Sequence, residues 1–253
     1  MENNLVAVVI PIYQQHMSLN EIISLKQCIK ILRGYPIIFV GPISLNTKNY
    51  EELCENFLIK RFNDKYFEDI DGYNRLMLSP AFYKVFLNYK FVLIHQLDAY
   101  VFKDDLQYWC EQNYDFIGAP NLPHENKANE FQFLKGYSKI LNLANKMRAT
   151  ERKLSNAGNG GFSLRKTNSC HLLLKLLKTK VNKWGKNNED GFFKYWGNIL
   201  HPIFRLPTDE KALTFSIELS PAESLEKLNF SLPFGCHAFS RYEPETWKKY
   251  INF

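Results

Sequence analysis

Cysteine is sparse and unpaired in this chain. Cys28, Cys54, Cys110, Cys170 and Cys236 are scattered over 253 residues without a C-x-x-C pair. An odd count with no framework argues against a disulfide-stapled secreted scaffold and predicts reduced thiols in a cytoplasmic setting. No signal peptide or bilayer-length apolar run is visible, because Met1-Glu2-Asn3-Asn4 leads straight into a short strand. Any membrane contact is therefore expected to be peripheral, at the inner face of the cytoplasmic membrane. Several motifs are missing too. Without G-x-G-x-x-G or G-x-x-x-x-G-K-[ST], the dinucleotide and P-loop readings fail. Without H-E-x-x-H or a Cys/His cluster, zinc is not expected, and without G-x-S-x-G hydrolase readings are poor.

Charge is present but undramatic. A net charge of +6 suits an anionic ligand, a nucleotide or an anionic membrane surface. Lys and Arg are spread along the chain rather than massed on one motif, so no nucleic-acid partner is expected. No repeat, low-complexity tract or linker appears, and the length allows one α/β domain over 1–253.

The most informative stretch is Phe91-Val92-Leu93-Ile94-His95-Gln96-Leu97-Asp98, an apolar, β-branched run that ends in an acid. It reads as a strand buried on both faces. In open α/β sheets the ligand crevice lies beyond the carboxyl ends of the strands, where this reading puts Asp98. Upstream, 5–12 reads as a first strand, and Ser18-Leu19-Asn20-Glu21 has capping-box spacing. A helix through Ile22, Leu25, Ile29 and Leu32 follows, and Ile37-Ile38-Phe39-Val40 is a second strand. That β-α-β order predicts parallel pairing. A short helix is expected over 49–57, a strand over 58–62, and one helix from Asp71 carrying Leu76, Met77, Phe82, Tyr83 and Phe86. Residues 121–155 are polar and locally basic, with Lys135, Lys139, Lys146, Arg148, Arg152 and Lys153, and read as an insertion.

Each candidate site residue has a plain reading beside the chemical one. Asp98 alone is a cap or an ion-pair partner; chemically it coordinates a metal or a diphosphate, since Mg²⁺ and Mn²⁺ take carboxylate and phosphate oxygens together. Gln96, two residues away, shares its face. Gly158-Asn159-Gly160-Gly161 is either a tight turn or a close backbone approach to a ligand, with Asn159 and Ser163 as polar contacts. In Asn188-Glu189-Asp190 the acids complement a helix dipole or supply a base, beside Phe192, Tyr195 and Trp196 as rings for a sugar. His237 is a lone histidine in a turn, and His95 reads as a satisfied core residue.

Taken in order, Val8-Val9-Ile10-Pro11-Ile12-Tyr13, Gly72-Tyr73-Asn74, Gln96-Leu97-Asp98-Ala99, Ile117-Gly118-Ala119-Pro120, Gly158 to Arg165, Asn188-Glu189-Asp190 and Pro233-Phe234-Gly235-Cys236-His237 resemble a bacterial and fungal family of GT-A-type glycosyltransferases. Members are often linked to surface polysaccharide or lipopolysaccharide assembly. The resemblance implies an α/β GT-A fold with a Rossmann-like, mostly parallel sheet flanked by helices. It implies a nucleotide-binding half over 1–120 and an acceptor and catalytic half over 156–253. Pro11, Ile12, Tyr13 and Asn74 would hold a nucleotide-sugar donor, a UDP-sugar first among them, with Gly160 and Gly161 lining the sugar pocket. Asp98 matches the first acid of a D-x-D metal motif whose second position is Tyr100, and His237 matches a metal-ligating histidine, so Mn²⁺ or Mg²⁺ is implied. Glu189-Asp190 matches the base of inverting members, acting on a glycan or lipid-linked acceptor. The missing second acid keeps a non-catalytic nucleotide-sugar or carbohydrate binding module as the alternative.

Overall fold

The computed structural model describes residues 4–54, 56–120, 154–184 and 188–253, together with residues 143 and 146. The insertion read over 121–155 therefore lies almost wholly outside the described residues. Nine strands are described: β1 (Asn4–Pro11), β2 (Ile37–Pro42), β3 (Leu58–Phe62), β4 (Tyr89–His95), β5 (Tyr100–Val101), β6 (Phe116–Gly118), β7 (Phe162–Lys166), β8 (Ser216–Ile217) and β9 (Gly235–Cys236). Six of them form a sheet in the order β3-β2-β1-β4-β7-β6, and three form a second sheet, β5-β9-β8. In the large sheet β3, β2, β1 and β4 are parallel, while β7 runs against both its neighbours. The sheet is mostly parallel, as the β-α-β reading requires.

Burial on both faces explains the unbroken apolar runs of β1 and β4. Val6, Val8 and Ile10 join Phe91 and Leu93 in one core cluster, and Ala7 and Val9 join Val92 and Ile94 in the other. Successive side chains of a strand point to opposite faces, so each strand feeds both layers. The helix Leu19–Ile31 crosses between β1 and β2, and its capping box is formed: Glu21 accepts from Ser18 N, and Ser18 accepts from Glu21 N. The topological switch point falls at β1, with β2 on one side and β4 on the other.

Three sequence expectations change. The helix over 49–57 shrinks to Lys48–Glu51. The single helix from Asp71 becomes two, Ile70–Met77 and Pro80–Lys84. Proline lacks the N–H a continuing helix needs and bars its predecessor from helical geometry. Ser79 is accordingly extended, and its side chain caps Ala81 N. His95 is in the core but not satisfied. It is fully buried against the edge of Phe162, its ring nitrogens make no well-formed hydrogen bond among the described residues, and burial holds its pKa down at about 4. All five cysteines are buried, and none is joined to another in a disulfide.

Candidate active site

Asp98 lies just past β4, in the turn that leads into β5. Ala99 N donates to Gln96 O at 3.0 Å, and the buried Ser24 hydroxyl donates to Ala99 O at 2.5 Å. Ser24 belongs to the crossover helix, so the first β-α-β unit fixes this turn from behind. The small sheet then supplies two more residues. β8 and β9 are parallel and β5 is antiparallel to β9, which brings the ends of β8 and β9 to the same edge as the start of β5. Glu218 follows β8, His237 follows β9 and Asp98 precedes β5. Three segments far apart in sequence therefore meet at one edge.

His237 is the hub. Its Nε2 lies 3.0 Å from Asp98 Oδ1 and 3.1 Å from Gln96 Oε1, and its Nδ1 lies 2.8 Å from Glu218 Oε1. Burial opposes a charged imidazole, but hydrogen bonds to Asp98 and Glu218 outweigh it and push the pKa up to about 10. Burial would likewise raise Asp98, yet the bond from His237 holds its carboxyl below the usual range. Gln96 takes part as the shared-face reading requires. The partner implied two residues after Asp98 does not: Tyr100 sits in β5 with its ring against Phe102 and Phe239. The spaced pair at this site is Gln96-x-Asp98, an amide carbonyl beside a carboxylate.

Among the described residues no group of three or more His, Cys, Asp and Glu side chains is arranged to hold a metal ion. Glu218 and Asp98 face opposite nitrogens of one ring, so they cannot share an ion through it. Asp98 Oδ1, Gln96 Oε1 and His237 Nε2 do converge, and they would form a smaller donor set for a cation that displaces the Nε2 proton of His237. The two oxygen donors suit Mn²⁺ or Mg²⁺, and the imidazole is a less usual partner for cations so hard. Glu218 on Nδ1 is the orienting carboxylate that a ligating imidazole ordinarily has. The set fits a divalent cation in part, and an anionic ligand would have to complete it.

The glycine loop packs between this cluster and the next. Gly161 O accepts from Gln96 N at 2.8 Å, and a Cβ at Gly161 would overlap His237 Nε2. A Cβ at Gly160 would overlap Glu189 Oε1. Asn159 holds the loop's shape, its Oδ1 accepting from Gly161 N and Phe162 N, with its Nδ2 3.0 Å from His237 Nδ1. The glycines thus make room for the protein's own side chains, Glu189 at Gly160 and His237 at Gly161.

Asn188 caps the helix Glu189–Leu200, putting both acids in its first turn. Their environments differ. Glu189 Oε1 accepts from Arg165 Nη2 at 2.7 Å in a pair buried on both sides. Arg165 also donates to Tyr83, Ser163 and Gly160 O, and it stacks on Phe116 and Phe193. No arginine clamps Asp190 among the described residues. Burial first, then the neighbouring Glu189 charge, push its pKa up to about 7, with Lys194 pulling the other way and Glu218 adding a further push. Of the rings expected to meet a sugar, Phe192 is fully buried in the core, edge-on to Phe193 and Trp184. Tyr195 and Trp196 are half-buried against each other.

A cavity of about 560 Å³ opens at the carboxyl ends of β1 and β4, the switch point of the sheet. Pro11, Tyr13, Tyr73, Gln96 and Asp98 line it, along with Glu21, Glu68 and Asp69. Ile12 and Asn74 do not. Ile12 is fully buried, with its N–H donated to Val40 O, and Asn74 is buried. Sequence reasoning missed Glu218, which carries no local signal, and gave Arg165 no role although it lies in a quoted motif.

A model of the family described as a protein of unknown function, DUF5672, matches residues 56–237. The chain belongs to that family. No curated protein matches it. Among solved structures, a galactosyltransferase LgtC in complex with donor and acceptor sugar analogs superposes with a TM-score of 0.57 at 11% identity, over 91% of this chain and 86% of that one. Mouse xyloside xylosyltransferase 1 gives 0.54 at 12% identity, over 91% and 96%. The glycosyltransferase GlyE of Streptococcus pneumoniae gives 0.52 at 12%, over 93% and 55%. At such identities the likeness is one of fold, and the fold is that of GT-A glycosyltransferases.

Proposed function

We propose that this protein is a glycosyltransferase that moves a sugar from a nucleotide-sugar donor, a UDP-sugar first among candidates, to a glycan or lipid-linked glycan. The observation that carries the reading is the placement of Asp98 and Gln96 on the wall of the switch-point cavity, with His237 in contact with both and the Gly160-Gly161 backbone running from His237 to Glu189, the neighbour of Asp190. The nucleoside lies along Pro11 and Tyr13, and the diphosphate turns toward Asp98 and His237. The acids lining this cavity, Glu21, Glu68, Asp69 and Asp98, outnumber the His237 cation beside it and would repel a diphosphate, so further positive charge has to be supplied there. A divalent ion held by Asp98, Gln96 and His237 would neutralise the departing diphosphate. The chain's own residues do the rest. The glycine loop lets the sugar approach the backbone, and Asp190 takes the proton from the acceptor hydroxyl as it attacks in line, inverting the anomeric centre. A carboxylate with its pKa near the working pH is suited to that task. Glu189, tied to Arg165, fixes the helix on which Asp190 stands.

The pathway we propose is assembly of cell-surface polysaccharide or lipopolysaccharide, on the cytoplasmic side of the membrane. No helix among the described residues is long and apolar enough to cross a membrane. One observation favours a second reading: the residue beside Asp98 at the site is an amide, Gln96, and not a second carboxylate, leaving a weak cation site, as in a module that binds nucleotide sugars without turning them over. Release of nucleoside diphosphate from a panel of nucleotide sugars, with product anomers read by NMR, separates the two. Binding without release across a broad acceptor panel selects the module. Absence of both binding and release contradicts either reading.

A further inference from the structure

Residues 166–188 contain six lysines, Lys166, Lys175, Lys178, Lys180, Lys183 and Lys186, and no Asp or Glu. The other 26 Lys and Arg of the chain are matched by its 26 Asp and Glu, so the whole net charge of +6 equals the charge of this window. Its described part forms two consecutive helices, Thr167–Leu176 and Lys178–Trp184. Lys175, Lys178, Lys180 and Lys183 are all exposed, and no ion pair engages them among the described residues. Two large apolar side chains stand out beside them. Leu172 is 46% and Leu176 81% exposed, one helical turn apart on the same face.

We infer that this segment docks the protein on an anionic lipid bilayer. Lysines flanking exposed leucines are the pattern of an interfacial helix, in which apolar side chains enter the headgroup boundary and cations attract acidic lipids. Nucleic acid fits less well: the window holds no arginine for bidentate phosphate contacts and leaves leucines facing water. The placement serves the site. Trp184, at the end of the segment, donates to Asn188 O at 3.0 Å and packs edge-on against Phe192, two residues after Asp190. A bilayer under the lysines would lie beside the helix that bears the proposed base, where a lipid-linked acceptor has to arrive.

Lipid binding is measured apart from turnover, so its failure leaves the transferase reading standing. The full chain is sedimented with vesicles of phosphatidylcholine alone and of phosphatidylcholine mixed with phosphatidylglycerol, at low and high salt. The expected result is binding to the mixed vesicles only, released by salt. Each Lys→Gln change at 175, 178, 180 or 183 should weaken it about fivefold, and Leu176→Gln should weaken it without altering the salt dependence. These side chains are exposed, so the variants should keep the parent circular dichroism and melting temperature. Should a multiple variant fold poorly, the single-lysine series gives the same reading. Binding to neither vesicle, equal binding to both, or binding unmoved by the lysine changes would overturn the proposal. So would a preference for duplex DNA or heparin over the mixed vesicles.

Discussion

His237 Nε2 lies 3.0 Å from Asp98 Oδ1, across the edge where the small sheet meets the end of β4. The contact joins the tail of the chain to its central strand. It exists because Gly161 leaves room: a Cβ there would overlap His237 Nε2 and come within 2.6 Å of Gln96 Oε1.

Gly161→Ala should therefore push His237 and Gln96 out of register while leaving the sheet intact. The expected outcome is a loss of transfer of about 10²-fold, as for a small misplacement of reacting groups. Gly34→Ala, where a Cβ meets nothing within 4 Å, is the control that should behave as wild type. Parallel melting curves confirm that the fold survives in both.

Divalent metal is the second test. With Asp98, Gln96 and His237 as a partial donor set, EDTA should abolish transfer and Mn²⁺ or Mg²⁺ should restore it. Gln96→Asp, adding a second carboxylate, should tighten Mn²⁺ binding in calorimetry. Full activity in EDTA would mean that protein cations alone stabilise the leaving group.

The acid limb of kcat/KM should report Asp190, rising with pH through a midpoint near 7, because a base must be deprotonated to act. Lys194 lowers the pKa of Asp190, so Lys194→Met should move that limb to higher pH. Stability carries the same signature with opposite sense. A carboxyl whose pKa is raised on folding favours the folded state at low pH, and that contribution is lost as pH climbs from 3.8 toward 7. Asp190→Asn should accordingly melt higher than wild type above about pH 7 and show less pH dependence, by thermal unfolding across that range.

Arg165 and Glu189 form a fully buried pair, and breaking such a pair leaves an uncompensated charge. Arg165→Met should cost about 3–5 kcal/mol in urea unfolding. Glu189→Gln added to Arg165→Met should recover part of that loss, since it removes the stranded carboxylate. Equal stability of wild type and the single variant would mean that the pair does not organise the helix.

Much of the fold was legible from local chemistry. The Ser18–Glu21 box, the apolar runs of β1 and β4, and the position of β3 follow from side-chain spacing that the structure keeps. Chain breaks were harder to read. Leu76 through Phe86 has helical apolar spacing, and only the backbone consequence of Pro80 divides it. In the site, Asp98, Gln96 and His237 were visible as residue types, but their meeting depends on a three-stranded sheet of two-residue strands, too short for any periodicity. Glu218 could not be found that way, because its role comes from facing Nδ1 of a ring at the end of a neighbouring strand. Tyr100, where a second acid is absent, turns its ring onto Phe102 and Phe239. The chain turns at Asp98, and the face shared with Asp98 lies behind it, at Gln96.

The central claim is that Asp190 is the base of a sugar transfer carried out in the switch-point cavity. Its most direct test is turnover of a nucleotide-sugar panel by wild type and Asp190→Asn, with donor affinity measured by calorimetry on both. The account predicts that wild type turns over at least one donor, and that the variant binds that donor comparably but transfers it about 10²–10⁴-fold more slowly. Equal turnover in the two proteins would contradict it.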